Sequence, residues 1–267
     1  LQRRDVILSP PNSVKGFDRP WGVHATRGCE SVSSGCDVCV WRWLAENNQK
    51  RFHPGGFENV RFNERSLWIP KKRKRPTWYR LSPHADMFQT KISDKDLITI
   101  FQMIADNKRH LFQTTTKYTH RMKYFLENVL PEELAEQCDN LMLGVNIETQ
   151  EYAWRAYDLN AWPHTKFVEC KPILGPVVDV DLSVIDWVVV ASHYSRRIAT
   201  VKVDWILGVV DMARSLNVPV SVDWISSGSG MNRFPHVGGK IWMQKPIKYL
   251  KWRERNESEW FKSRAKT

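Results

Sequence analysis

"HLFQTTTKYTHRMKYFLENVLPEELAEQCDNLMLGVNI" (110–147) reads as strand, helix, strand. "HLFQTT" (110–115) is a short run of apolar and β-branched residues. "THRMKYFLENV" (119–129) changes period and puts Met122, Phe125, Leu126 and Val129 on one helical face. "LMLGVNI" (141–147) returns to a buried-strand pattern. Two strands joined by a helix of about a dozen residues form a βαβ unit, the building block of parallel sheets.

The unit repeats outward in both directions. Upstream, "TWYRLS" (77–82) is a strand and "DKDLITIFQMIADN" (94–107) a helix. Ser93 is placed to cap that helix, and Leu97, Ile98, Phe101, Ile104 and Ala105 form its apolar stripe. Before them come a short strand, "GVHATRG" (22–28), and a helix, "WRWLAENNQKRF" (41–52). A long polar connection from His53 to Arg75 follows, ending in the charge run "KKRKR" (71–75). Downstream, "TKFVEC" (165–170), "DWVVVAS" (186–192) and "VPVSVDW" (218–224) are strands. "DWILGVVDMARSLN" (204–217) is a helix with Asp204 as cap and Ile206, Val209, Val210, Ala213 and Leu216 inward. The expected fold is α/β: a partial or closed (β/α) barrel of six to seven parallel strands over residues 21–230. An N-terminal extension (1–20) and a C-terminal extension (231–267) flank it.

Polar residues gather just past these strands, at the end where barrels build active sites. They are Cys29; Ser82, His84 and Asp86; Gln113, Thr114, Thr115 and Lys117; Asn146 and Glu148; Glu169 and Lys171; His193 and Tyr194; and Asp223. Solvent exposure accounts for one or two such positions, and poorly for seven strand ends in succession. They read as a catalytic rim.

A formal net charge of +11 points to a polyanionic partner, most simply nucleic acid, and 13 tryptophans supply flat surfaces for bases. No run of 18 apolar residues indicates a membrane span, and no membrane partner is expected. The start lacks Met and a signal-peptide core, which reads as a trimmed terminus. Five cysteines, an odd number, suit a reducing cytoplasm.

Three of the five stand in "TRGCESVSSGCDVC" (26–39), spaced C-x6-C-x2-C. Cys29, Cys36 and Cys39 can hold three irons of a [4Fe–4S] cluster and leave the fourth open to a small molecule. Radical S-adenosylmethionine (SAM) enzymes use that arrangement: the methionine amino and carboxylate groups take the open iron. The rival is a zinc site completed by His24 or His53, in a basic nucleic-acid-binding protein without catalysis. Cys138 and Cys170 stand alone in helical and strand patterns and read as packed thiols.

The chain resembles a family of phage and prophage radical-SAM-like proteins. "GCESVSSGCDVC" (28–39) carries the resemblance, with "LSPHADMF" (81–88), "HLFQTTTKYTHRM" (110–122), "LMLGVNIETQ" (141–150), "ECKPILGP" (169–176), "IDWVVVAS" (185–192) and "GGKIWMQKP" (238–246) following in order. The resemblance implies a [4Fe–4S] cluster and SAM as cofactors, an electron donor, and a 5′-deoxyadenosyl radical that abstracts hydrogen. His84 and Asp86 fall where such enzymes hold the methionine amino group, and Asn146 and Glu148 where the fourth strand meets the ribose. Ser82, Thr115 and Glu169 are the remaining cofactor-side candidates, while Lys117, Lys171, His193, Tyr194, Arg196 and Asp223 are the substrate-side ones. The implied substrate is nucleic acid (DNA ahead of RNA) or a nucleotide, modified or rearranged in an isomerase-like step. The narrowest version is hypermodified thymine in phage DNA, in the host cytoplasm. Three places depart from the family pattern: Val38 precedes the third cysteine, Val40-Trp41 follows it, and "ASHYSRR" (191–197) replaces a glycine-rich stretch. The last implies a substrate different from that of the typical relative, or lost activity.

Overall fold

The computed structural model describes residues 20–47, 55–192, 201–227, 230–233 and 235–262. His53, His193, Tyr194 and Arg196 lie outside the described residues. The first half of the chain forms β1 (Trp21–Val23), β2 (Thr26–Arg27), α1 (Ser34–Asp37), α2 (Val40–Asn47), β3 (Arg61–Phe62), α3 (Trp68–Lys72), β4 (Trp78–Leu81), α4 (Asp94–Ala105), β5 (Leu111–Thr116) and α5 (Thr119–Asn128). The second half forms α6 (Glu132–Gln137), β6 (Leu141–Asn146), β7 (Lys166–Cys170), β8 (Trp187–Ala191), α7 (Val203–Ser215), β9 (Val220–Ser227), β10 (Gly230–Arg233), β11 (His236–Val237), β12 (Lys240–Ile241) and α8 (Ile247–Lys262).

Seven strands pair in parallel in the order β1-β4-β5-β6-β7-β8-β9, and β10 adds antiparallel to β9. Spatial order follows chain order, as repeated crossovers of one hand produce. The sheet curls into a half-barrel, and its strands point their C-terminal ends to a common rim.

Two apolar layers hold it. The larger joins one face of the sheet to α4, α5 and α7 through buried residues such as Phe101, Phe125 and Val209. The smaller fills the other face near the strands' N-terminal ends, where Trp78, Leu111, Met142, Phe167 and Trp187 pack against Tyr249 and Trp252 of α8. Inward positions recur every second residue, so the same strands carry apolar groups low and polar groups high: Trp78 then Arg80, Phe167 then Glu169.

The expected Ser93 cap is present as a full capping box with Asp96. Four expectations need correction. The stretch 22–28 is not one strand: β1 joins the large sheet, while β2 turns away to pair with β3. Buried Ser82 causes the break, because its Oγ accepts hydrogen bonds from both Thr26 N and Thr26 Oγ1, at 3.0 and 2.9 Å. The polar connection before Arg75 is not a plain loop, since it contains β3, a 3₁₀ turn (Glu64–Leu67) and α3, anchored by buried Leu67 and Pro70. Asp204 lies in the first turn of α7 and Lys202 precedes it without a side-chain cap. Leu216 is 54% exposed because α7 ends at Ser215 and the apolar stripe ends with it. Residues 150–161, to which no element was assigned, form 3₁₀ turns between β6 and β7.

Candidate active site

The cysteine loop starts where β2 ends. Gly28 has φ +77, and a Cβ there would come within 2.5 Å of the Asn59 carbonyl, so the chain turns sharply just before Cys29. Cys29 N–H then donates to Phe57 O at 2.8 Å. Buried Gln89 pins the loop to the segment after β4: its Oε1 accepts from Glu30 N–H, and its Nε2 donates to the carbonyls of Gly28 and Asp86. Cys36 sits in α1 and is buried, whereas Cys29 and Cys39 are half-buried. All five cysteines are free thiols.

Cys29, Cys36 and Cys39 line one cavity of about 280 Å³ at the rim, together with His84, Asp86, Thr115, Lys117, Asn146, Glu169 and Lys171. Ser82 and Glu148 lie behind its wall, fully or nearly buried. Asp223 joins from outside the wall by pairing with Lys171. Trp41 stacks on His84 with ring centroids 3.5 Å apart, and Trp224 forms another aromatic part of the lining. The buried phenol of Tyr118, also in the lining, has no hydrogen-bond partner among the described residues.

Beneath the thiols is a buried ionic network centred on Glu148. Glu148 is fully buried, and its Oε1 meets Lys117 Nζ and accepts from Ser33 Oγ at 2.7 Å. Its Oε2 accepts from Arg155 Nη1 at 2.9 Å. Lys117 Nζ donates to Ser33 Oγ at 2.9 Å and lies 3.5 Å from Cys36 Sγ. Gly35 permits this approach, since a Cβ there would lie 2.6 Å from Glu148 Oε1 and 2.8 Å from Lys117 Nζ. Burial lowers the affinity of Lys117 for its proton, but Glu148 and Cys36 more than offset that and raise its pKa. Burial raises the Cys36 thiol, yet Lys117 and hydrogen bonds from Val32 and Ser33 bring it below its ordinary range. Cys29 moves upward, through burial first and then the charges of Asp86, Cys36 and Cys39.

Asp86 works differently. Its carboxylate accepts from Phe88 N–H, Thr116 Oγ1 and Lys117 N–H at 2.8 to 3.0 Å, tying the loop after β4 to the end of β5. Burial raises its pKa against the pull of those bonds. Across the cavity floor, Arg80 forms a fork with Glu169, Nη1 to Oε1 at 2.9 Å and Nη2 to Oε2 at 2.5 Å. Thr115 and Asn146 also bond Glu169, and Lys171 Nζ lies 3.5 Å from it. Burial would raise the Glu169 pKa, but Arg80 and Lys171 draw it down to about 2. Lys171 also pairs with Asp223 at 3.0 Å and stands 3.9 Å over the Trp224 ring.

Residues 17–227 match the model of a family described as a protein of unknown function, DUF5131. The chain belongs to this family. No curated protein matches it significantly. Among solved structures this DUF5131 member is similar to spore photoproduct lyase in several forms. A complex with dinucleoside spore photoproduct is 12% identical, with 64% of this chain and 56% of that one covered and a TM-score of 0.44. A variant with bound AdoMet and the same dinucleoside gives 12% and 0.43 at the same coverage. Another variant gives 11% and 0.45, covering 90% of this chain and 74% of that one. The chain thus spans about half the length of the first of these structures.

Within this DUF5131 chain, sequence reasoning missed Ser33, Arg80, Gln89 and Arg155. A charged or amide side chain embedded in an apolar run, as in "WYRL" or "DMFQT", is the signal that finds two of them. Ser33 and Arg155 leave no such mark. "KKRKR" begins in the last turn of α3 and ends before β4, and so lies at the N-terminal ends of the strands, away from the cavity. Among the described residues, no three His, Cys, Asp or Glu side chains converge tightly enough to hold one metal ion. No helix among them is long and apolar enough to cross a membrane.

Proposed function

We propose that the chain holds a [4Fe–4S] cluster through Cys29, Cys36 and Cys39, binds SAM beside it, and modifies or rearranges a nucleic-acid-linked substrate. One observation carries the reading: three thiols on the segment that follows β2 line one cavity at the C-terminal rim of seven parallel strands. A zinc ion needs its donors about 2.3 Å from a single point. A four-iron cluster offers separate irons to separate thiolates, so its ligands surround it rather than converge. Three thiols lining one cavity leave the space between them for such a cluster. The unpartnered Tyr118 phenol fits a cavity that receives a polar molecule.

Cys29, Cys36 and Cys39 would hold the cluster, which when bound would supply one-electron reducing chemistry for SAM-dependent hydrogen abstraction from carbon. The protein's own residues position and shield. Lys117, locked by Glu148 and Ser33, places a fixed positive charge against Cys36 and favours its thiolate. Asp86 ties the loop that carries His84 to the end of β5. His84 and Trp41 present a stacked wall suited to a flat ring, and Lys171 supplies a cation for a phosphate or carboxylate near Trp224. Hypermodified thymine in DNA is the narrowest substrate compatible with this proposal.

Anaerobically purified protein should contain about four irons with matching sulfide and a reducible cluster signal that SAM perturbs. Cys29→Ala, Cys36→Ala and Cys39→Ala should each lose it, while Cys138→Ala and Cys170→Ala keep it. One equivalent of zinc without sulfide overturns the proposal.

A further inference from the structure

The N-terminal ends of the strands carry a surface that this chemistry leaves unused. Trp68 in α3 is 57% exposed, and Lys71 and Lys72 hold their ammonium groups 5.6 and 5.9 Å from its ring centroid. Arg73 lies 4.7 Å over Trp21, itself 38% exposed. Lys74 and Arg75 continue the run toward β4, and the sequence from Arg65 to Ala85 contains no carboxylate. Among the described residues Lys71, Lys72 and Lys74 form no ion pair. The five consecutive cations of this run equal nearly half of the formal net charge of +11.

This surface is built into the fold. Buried His110, just before β5, donates from Nε2 to Pro70 O at 3.0 Å and accepts at Nδ1 from Thr77 N–H at 3.1 Å. Arg73 Nε bonds Thr77 Oγ1 at 2.8 Å, which fixes the run where it leaves α3. Two exposed rings beside a run of cations on a held backbone suit one ligand chemistry: phosphates with unpaired bases between them. A duplex would meet the charges but leave the rings unused.

We infer that the α3 surface binds single-stranded nucleic acid, with phosphates on Lys71, Lys72 and Lys74 and a base stacked on Trp68. The inference shares with the proposed function only its polynucleotide partner, and is independent of the cluster. Because the surface is at the opposite end of the strands from the thiols, it anchors a long strand and contributes nothing to a dinucleotide at the rim.

The experiment is fluorescence anisotropy of labelled oligothymidylate 20-mers with full-length protein across a salt series. Substituting Lys71→Gln, Lys72→Gln and Lys74→Gln together should flatten the log–log slope by about 2, from a single-strand value of about 0.7 per phosphate contact. The corresponding triple Lys→Arg variant should restore it. Trp68→Ala should weaken single-strand binding roughly tenfold and leave duplex binding unchanged. An unchanged slope in a glutamine variant with native melting overturns the inference, as does equal loss on duplex or preference for phosphatidylserine vesicles over the oligonucleotide. Patch-dependent binding by protein that takes up no iron would remove the cluster proposal and leave this one standing.

Discussion

Glu148 shows how one buried carboxylate can organise a site without lining it. It is completely enclosed, and each oxygen has a cation: Lys117 on one side and Arg155 on the other. Desolvating an ion pair costs several kcal/mol per charge, so such a group is held by completeness rather than by net attraction. Glu148→Gln preserves the shape and removes the charge, leaving two cations buried with no full counter-charge. The expected loss is about 3–5 kcal/mol of stability, read as a lower urea midpoint. Glu148→Asp should recover part of it. A midpoint within experimental error of the wild type would show that Lys117 finds another counter-charge, with the Cys36 thiolate 3.5 Å away the candidate.

At the scale of elements, α8 closes the half-barrel from below. Its Tyr249 and Trp252 enter the cluster made by Trp78, Leu111, Met142, Phe167 and Trp187, and the Trp252 indole N–H donates to Arg109 O at 2.9 Å. An open seven-stranded sheet leaves this face to water unless another element covers it. Trp252→Ala should cost about 3–5 kcal/mol, from lost burial and the cavity left behind. Urea unfolding followed by circular dichroism reads it. If the midpoint does not move, α8 is a loosely held appendage and the inner layer is stable without it. By contrast α1, a single turn, draws its order from the contacts of Ser33, Ser34 and Cys36 with Glu148, Tyr152 and Lys117. Short helices lack the cooperativity to stand alone.

For the whole molecule, acid stability turns on the same contact that holds α3. Burial, with Arg109 and Arg73 nearby, pushes the His110 pKa from 6.5 down to about 4. Its Nδ1 accepts from Thr77, so protonation breaks that bond and buries a charge. The folded state keeps His110 neutral while the unfolded chain takes up a proton near pH 6.5. The contribution is therefore complete above that value and is lost as the pH falls toward 4, to a limit of about 3 kcal/mol. Unfolding midpoints measured from pH 6.5 to 5, above the range of ordinary carboxylates, should fall in the wild type and stay nearly level in His110→Gln. Equal slopes in both proteins would place the acid sensitivity elsewhere.

Period and composition, which are local, were enough to read the seven strands, the crossovers of α4, α5 and α7, and the set of strand ends that form the rim. The central strands β5 to β8 bury both faces and the long crossover helices one, so the pattern is written residue by residue. Cys29, Cys36 and Cys39 were legible for a related reason, since their spacing lies within one short segment. Only the tertiary structure decided what these residues face. Arg80 meets Glu169 across 89 positions and Ser33 meets Glu148 across 115, and nothing local records such pairs. The division of 22–28 into two strands follows from Ser82, 56 residues from Thr26. The placement of "KKRKR" away from the thiols likewise depends on strand direction, because in a parallel sheet everything just before a strand lies at one end and everything just after it at the other.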